Sequence, residues 1–124
     1  MAIQAQELCF LSLGELSALL RKREVTSVQA TRAVLDRIHK HNPTIRAYLT
    51  VLNDLALRQA EAADKEIAVG SWRGPLHGVP VAVKDLCWTR GIPTTCASKV
   101  LRDWRPDSNA TVVDRFEAVQ IEAE

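Results

Sequence analysis

Nothing in the 124-residue sequence approaches the roughly 18 consecutive apolar residues that a membrane-spanning helix needs. The first residues, Met1 to Glu7, carry neither a basic leader nor an apolar core, so the expectation is a soluble, cytoplasmic protein. An excess of one charge is lacking too, because 16 Lys and Arg stand against 15 Asp and Glu, a net of +1. Without a positive field there is no counterion release to drive binding, and neither nucleic acid nor an anionic membrane is an expected partner. Cysteine is scarce. Cys9, Cys87 and Cys96 are an odd set that argues against a disulfide framework and fits a reducing compartment. Cys87 and Cys96 are too far apart for a structural zinc site, whose ligand pairs are typically about two to four residues apart, and His77 lies further off still. The thiols are read as small buried hydrophobes, and no metal is expected.

What is present fits an ordinary globular chain, with 47% apolar and 25% charged residues. The first half reads as helical. Ser12 followed by Glu15 makes a capping box ahead of Leu16, Leu19 and Leu20, and the basic run Arg21-Lys22-Arg23 falls where cations meet the negative end of a helix dipole. Thr26 and Gln29 repeat the box, and Val28, Thr31, Val34, Leu35 and Ile38 then share one face until Asn42-Pro43, which is expected to stop the helix. Ile45 to Leu52 is short and rich in β-branched and aromatic residues, so a strand is expected. Asn53 or Asp54 can cap a third helix whose Ala56, Ala60, Ala63 and Ile67 form a small-residue face, and Gly70 ends it.

Four of the five glycines and four of the five prolines lie from Gly70 onward, and the helical period disappears there. Val79, Val81 and Val83 alternate with Pro80, Ala82 and Lys84, which predicts a strand with Lys84 aimed away from the valine face. Leu86 to Ala110 shows no period of either kind, and so long an irregular segment suggests a piece of something larger. Thr111 to Glu124 is expected to be a helix whose end frays, because Glu117, Glu122 and Glu124 oppose its dipole.

The densest signal is Gly74-Pro75-Leu76-His77-Gly78-Val79-Pro80-Val81-Ala82-Val83-Lys84-Asp85, followed by Gly91-Ile92-Pro93-Thr94-Thr95-Cys96-Ala97-Ser98. At these residues the sequence resembles the amidase signature family of serine hydrolases, and the likeness spans residues 13–114. The resemblance implies an α/β fold, the N-terminal part of an α/β/α arrangement with a mixed central sheet that is incomplete in this chain. Residues 1–124 are then one partial domain, family-like over 13–114, with a divergent acidic tail at 115–124.

The resemblance also implies a reaction, hydrolysis of a carboxamide C–N bond through an acyl-enzyme, using a serine, a cis-serine and a lysine without metal or organic cofactor. The lysine's role carries over to Lys84. A neutral amine can take the proton of a bridging serine, which activates the nucleophilic serine, but only where burial or a neighbouring cation favours the neutral form. In the family both serines come from a glycine- and serine-rich segment well downstream. Ser98 and Ser108 do not match them, so the isolated chain is expected to be inactive, with a small-molecule amide as the substrate of the complete enzyme. The alternative is a non-catalytic interaction or regulatory module pairing through a strand edge or helical face.

Other residues receive lesser roles. Ala97 replaces a frequent family glycine, a change expected to alter a turn. Asp85 is read as an orienting partner of the lysine segment through nearby backbone or hydroxyl groups, with turn formation as the alternative. His39, His41 and His77 are assigned capping or surface positions, and Trp72, Trp88 and Trp104 are assigned to anchoring loops.

Overall fold

The computed structural model describes residues 3–120. Its helices are α1 (Ala5–Leu8), α2 (Leu13–Lys22), α3 (Ser27–Ile45), α4 (Asn53–Ala68) and α5 (Thr111–Gln120). The chain divides into two compact units, one running to Pro80 with residues 119–120 and the other spanning Val81–Ala118.

Helices α2 and α3 of the first unit start at side-chain caps as expected, whereas α4 starts after Leu52 with no side-chain cap, so neither Asn53 nor Asp54 caps it. Ser12 and Glu15 cap α2 reciprocally, with Ser12 N–H to Glu15 Oε2 at 2.7 Å and Glu15 N–H to Ser12 Oγ at 3.3 Å. Thr26 and Gln29 do the same for α3 at 2.9 and 3.1 Å. Asp64 of α4 completes the start of α3, its carboxylate accepting the Ser27 N–H at 2.6 Å and the Val28 N–H at 3.0 Å. The first amides of an α-helix have no partner within the helix, so this carboxylate joins two helices while satisfying two of them. At the other end of α2, Arg23 closes the helix in a left-handed conformation and its guanidinium reaches the Ala68 carbonyl that ends α4.

Helix α3 packs on α4 and α1 packs on α3. Ala30 and Ala33 on α3, and Ala60, Ala63 and Ile67 on α4, are buried, so small side chains allow the close approach expected of the alanine face. Leu8, Leu16, Leu20, Val25, Ala30, Ala33 and Val79 form the core, with Leu11, Leu19 and Trp72 packed against it.

Several expectations are corrected. Pro43 does not stop α3, which continues through it to Ile45. A proline in the last turn removes a single helical bond, and Arg46, left-handed at φ +49°, then ends the helix by donating its N–H to the Asn42 carbonyl. The Asn42 side chain also folds back on Tyr48, accepting its N–H at 2.8 Å and donating to its carbonyl at 3.0 Å.

The strands expected at 45–52 and at 79–83 are not formed, and among the described residues there is no strand, so these residues do not show the expected mixed central sheet. A β-ladder needs a neighbouring strand to satisfy its amides, and propensity alone does not supply one. Ile45 and Leu49 are exposed instead of facing a sheet. In the second segment Val79 is buried, but Val81 and Val83 are 38% and 45% exposed, so the alternation does not produce a buried valine face. The expected fraying beyond Gln120, and the part of the acidic tail from residue 121 onward, lie outside the described residues.

The second unit is held by main-chain bonds between irregular segments. Gly91 N–H donates to Pro106, Thr94 N–H to Trp104 and Ala110 N–H to Trp88, at 2.9, 3.0 and 2.8 Å. Trp88 and Trp104 meet edge to face with centroids 5.1 Å apart, with Trp88 exposed, whereas of the three tryptophans expected to anchor loops to a core it is Trp72 that packs against the core of the first unit.

Candidate functional site

Lys84 is exposed and stands at the start of a turn in which its carbonyl accepts the Cys87 N–H at 2.9 Å. Among the described residues its ammonium makes no hydrogen bond or ion pair. Val81, Val83 and Lys84 are all exposed, so the lysine is not separated from the valines by a buried face.

The next residue is fastened. The Asp85 carboxylate accepts the Thr95 N–H at 2.9 Å and the Thr95 hydroxyl through a short hydrogen bond, and the Asp85 carbonyl accepts the Cys96 N–H at 3.1 Å. The Thr95 hydroxyl, then its N–H, hold the Asp85 carboxyl below the usual aspartate range, outweighing the modest desolvation that opposes them. This fixes the peptide that leaves Lys84 to the segment carrying Thr94 and Thr95. Thr94 is itself buried.

The same segment holds two consecutive non-glycine residues in the left-handed region, Cys96 at φ +50° and Ala97 at φ +58°. An L-residue is strained there and a glycine is not, which gives the replacement at Ala97 a physical meaning. Ser98 is part of the turn, donating its N–H to the Thr95 carbonyl at 2.8 Å and accepting the Val100 N–H at 3.2 Å.

The surface or capping place expected for His77 is corrected by the structure: its side chain is completely buried. Nδ1 accepts the Arg73 N–H at 3.1 Å, which leaves Nε2 as the protonated nitrogen of the neutral ring. Nε2 lies 3.0 Å from Glu66 Oε2, without an aligned hydrogen bond, so the contact is chiefly electrostatic. Glu66 also binds the Arg73 guanidinium at 2.7 and 3.2 Å. Burial pushes the His77 pKa down; Glu66 pulls the other way, and Arg73 adds to the lowering. The adjacent Gly78 has φ +77°, and a Cβ there would lie 3.1 Å from the Ser27 Cβ. Ser27 in turn donates its hydroxyl to the Gly78 carbonyl at 2.6 Å.

Asp64 carries no local signal in the sequence, because it acts on the start of α3; Glu66 and Arg73 pair across the end of α4, beyond which no helical period continues. Cys9, Cys87 and Cys96 are free thiols, and the expectation that they are buried is corrected: Cys96 is exposed and the other two are half-buried.

Comparison with known proteins points one way. The family model Amidase matches residues 29–120. A glutamyl-tRNA(Gln) amidotransferase chain of Geobacter sulfurreducens is 54% identical over 110 residues, 89% of this chain and 22% of that one. A Mycobacterium tuberculosis protein bearing the amidase name AmiD is 44% identical over 108 residues, 87% of this chain and 23% of its own. Among solved structures, the native peptide amidase of Stenotrophomonas maltophilia superposes with a TM-score of 0.85 at 31% identity, over 94% of this chain and 24% of the other. The chain thus spans less than a quarter of the length of these relatives. On the strength of the matched segment and of these identities, this chain belongs to the amidase signature family.

Proposed function

We propose that the chain carries the proton-accepting lysine, Lys84, of an amide-hydrolysing centre whose two serines lie in a downstream segment of the family. The observation that carries this reading is the Gly-Val-Pro to Lys-Asp motif, with Lys84 free of side-chain partners among the described residues and the following Asp85 fastened to Thr95. A neutral amine next to a bridging serine would take its proton as that serine takes the proton of the nucleophilic serine, whose oxygen attacks the carboxamide carbon. The proton held by the lysine would pass to the leaving amine, and water would then cleave the acyl-serine to the free acid. Residues 1–124 are then one partial domain, family-like over 13–114 and divergent over 115–124. The substrate of the complete enzyme is a small-molecule amide.

The isolated chain does not perform this reaction. No serine hydroxyl is bonded to Lys84 among the described residues, and a lysine without a nucleophile or oxyanion donors lacks both the attacking atom and the charge stabilisation. Exposure of Val81, Val83 and Leu86 favours a second reading, a non-catalytic module that pairs with another chain through this segment. A turnover assay separates the two. The chain alone is silent under both readings, and restoring the family's downstream segment in fusion gives Lys84-dependent amide hydrolysis only under the first.

A further inference from the structure

We propose that Asp85, acting with Thr95, is a positioning residue for Lys84, a clasp that sets where the lysine's main chain lies; the proposal rests on the reading of Lys84 above. An aspartate that merely forms a turn bonds amides within two or three residues of itself. The Asp85 carboxylate instead reaches ten residues along the chain, to the N–H and hydroxyl of Thr95. A third bond runs alongside, from the Cys96 N–H to the Asp85 carbonyl, and a fourth from the Cys87 N–H to the Lys84 carbonyl. The main chain around Lys84 is therefore held at two successive carbonyls and at the next side chain, while the lysine side chain is left free to meet another group.

The strain on the far side of the clasp supports the same reading. Cys96 and Ala97 occupy left-handed conformations that an L-residue adopts only where its surroundings hold it. What holds them is the Asp85 carbonyl on the Cys96 N–H, and the Thr95 hydroxyl, itself bound by Asp85, on the Ala97 N–H at 3.3 Å. The Thr95 hydroxyl is thus both donor and acceptor. A valine there would remove both bonds at unchanged shape, and a serine would keep them.

The test uses the whole chain first. In the unsubstituted protein the Lys84 backbone is expected to be rigid, with an order parameter near 0.85, and in Asp85→Ala and Thr95→Val it should fall towards about 0.6, while Thr95→Ser restores it. Amides of Leu35 and Ala63 serve as controls and should not change. Unchanged order at Lys84 in both variants would overturn the clasp. The second readout is the fusion with the family's downstream segment, where Asp85→Asn should lower kcat at least tenfold with KM within twofold, and Thr95→Ser should match the parent. A fusion that needs Lys84 but is indifferent to Asp85 overturns the clasp alone. A fusion that turns over equally well without Lys84 overturns the reading on which the clasp rests.

Discussion

Replacing Asp64 with alanine removes a carboxylate that holds the first two amides of α3 from a different helix. The bonds are 2.6 and 3.0 Å long, the first short and the second ordinary, and both are partly buried, so solvent can replace them only in part. Hydrogen bonds to a charged group contribute about 1.5–3 kcal/mol each. Allowing for water at the vacated site, the loss should be about 2–4 kcal/mol, a large share of the roughly 5–15 kcal/mol that stabilises an ordinary domain. Asp64→Asn keeps one acceptor and should lose about half as much. Urea unfolding followed by far-ultraviolet circular dichroism reads the helical unit directly. With an m-value of about 2 kcal/mol/M, Asp64→Ala should move the midpoint down by about 1–2 M. A shift equivalent to less than about 0.5 kcal/mol, the range of an ordinary surface change, would refute the idea that α4 caps α3.

Gly78→Ala should destabilise the same unit by about 2–3 kcal/mol, combining a left-handed alanine with crowding against Ser27, and the urea midpoint will show it. Ala97→Gly should stabilise by about 0.5–1 kcal/mol, because relief of the positive φ exceeds the added chain entropy; a lower melting temperature would contradict this. His77 is held below its ordinary pKa, so the unfolded chain binds a proton that the folded chain resists. Stability from this source is complete above about pH 6.5 and is lost as pH falls through the lower folded-state value, at no more than about 1.4 kcal/mol per pH unit. The difference in stability between the parent and His77→Gln should therefore shrink from pH 7.5 to pH 5, and parallel curves would show that His77 titrates normally.

Local signals are legible in the sequence and distant ones are not. Ser12 with Glu15 and Thr26 with Gln29 place helix starts because each cap is completed within four residues. Ala60, Ala63 and Ile67 are buried as their spacing indicates. The end of α3 differs from its expected place because a proline in a last turn removes little, and the decisive contacts are the Arg46 conformation and the Asn42 side chain. The strand expected at 79–83 does not form because alternation describes a face and not the neighbour that a ladder requires. His77 carries no sign in the sequence of its burial, since Glu66 and Arg73 enclose it only in the fold. At the candidate site the motif marks Lys84 and Asp85, whereas the hydrogen bonds from Thr95 to Asp85 and the left-handed pair at Cys96 and Ala97 are visible only in three dimensions.

The central claim is that Lys84 is a catalytic proton acceptor, and amide turnover by a fusion of residues 1–114 with the C-terminal part of a close family member tests it most directly. The fusion should hydrolyse amides while the 124-residue chain alone does not. Lys84→Ala should lower kcat/KM by about 10²–10⁴, the usual cost of losing a general base, and Lys84→Arg should not rescue it, because a guanidinium stays protonated. A folded fusion that hydrolyses amides equally well with Lys84→Ala would contradict the account.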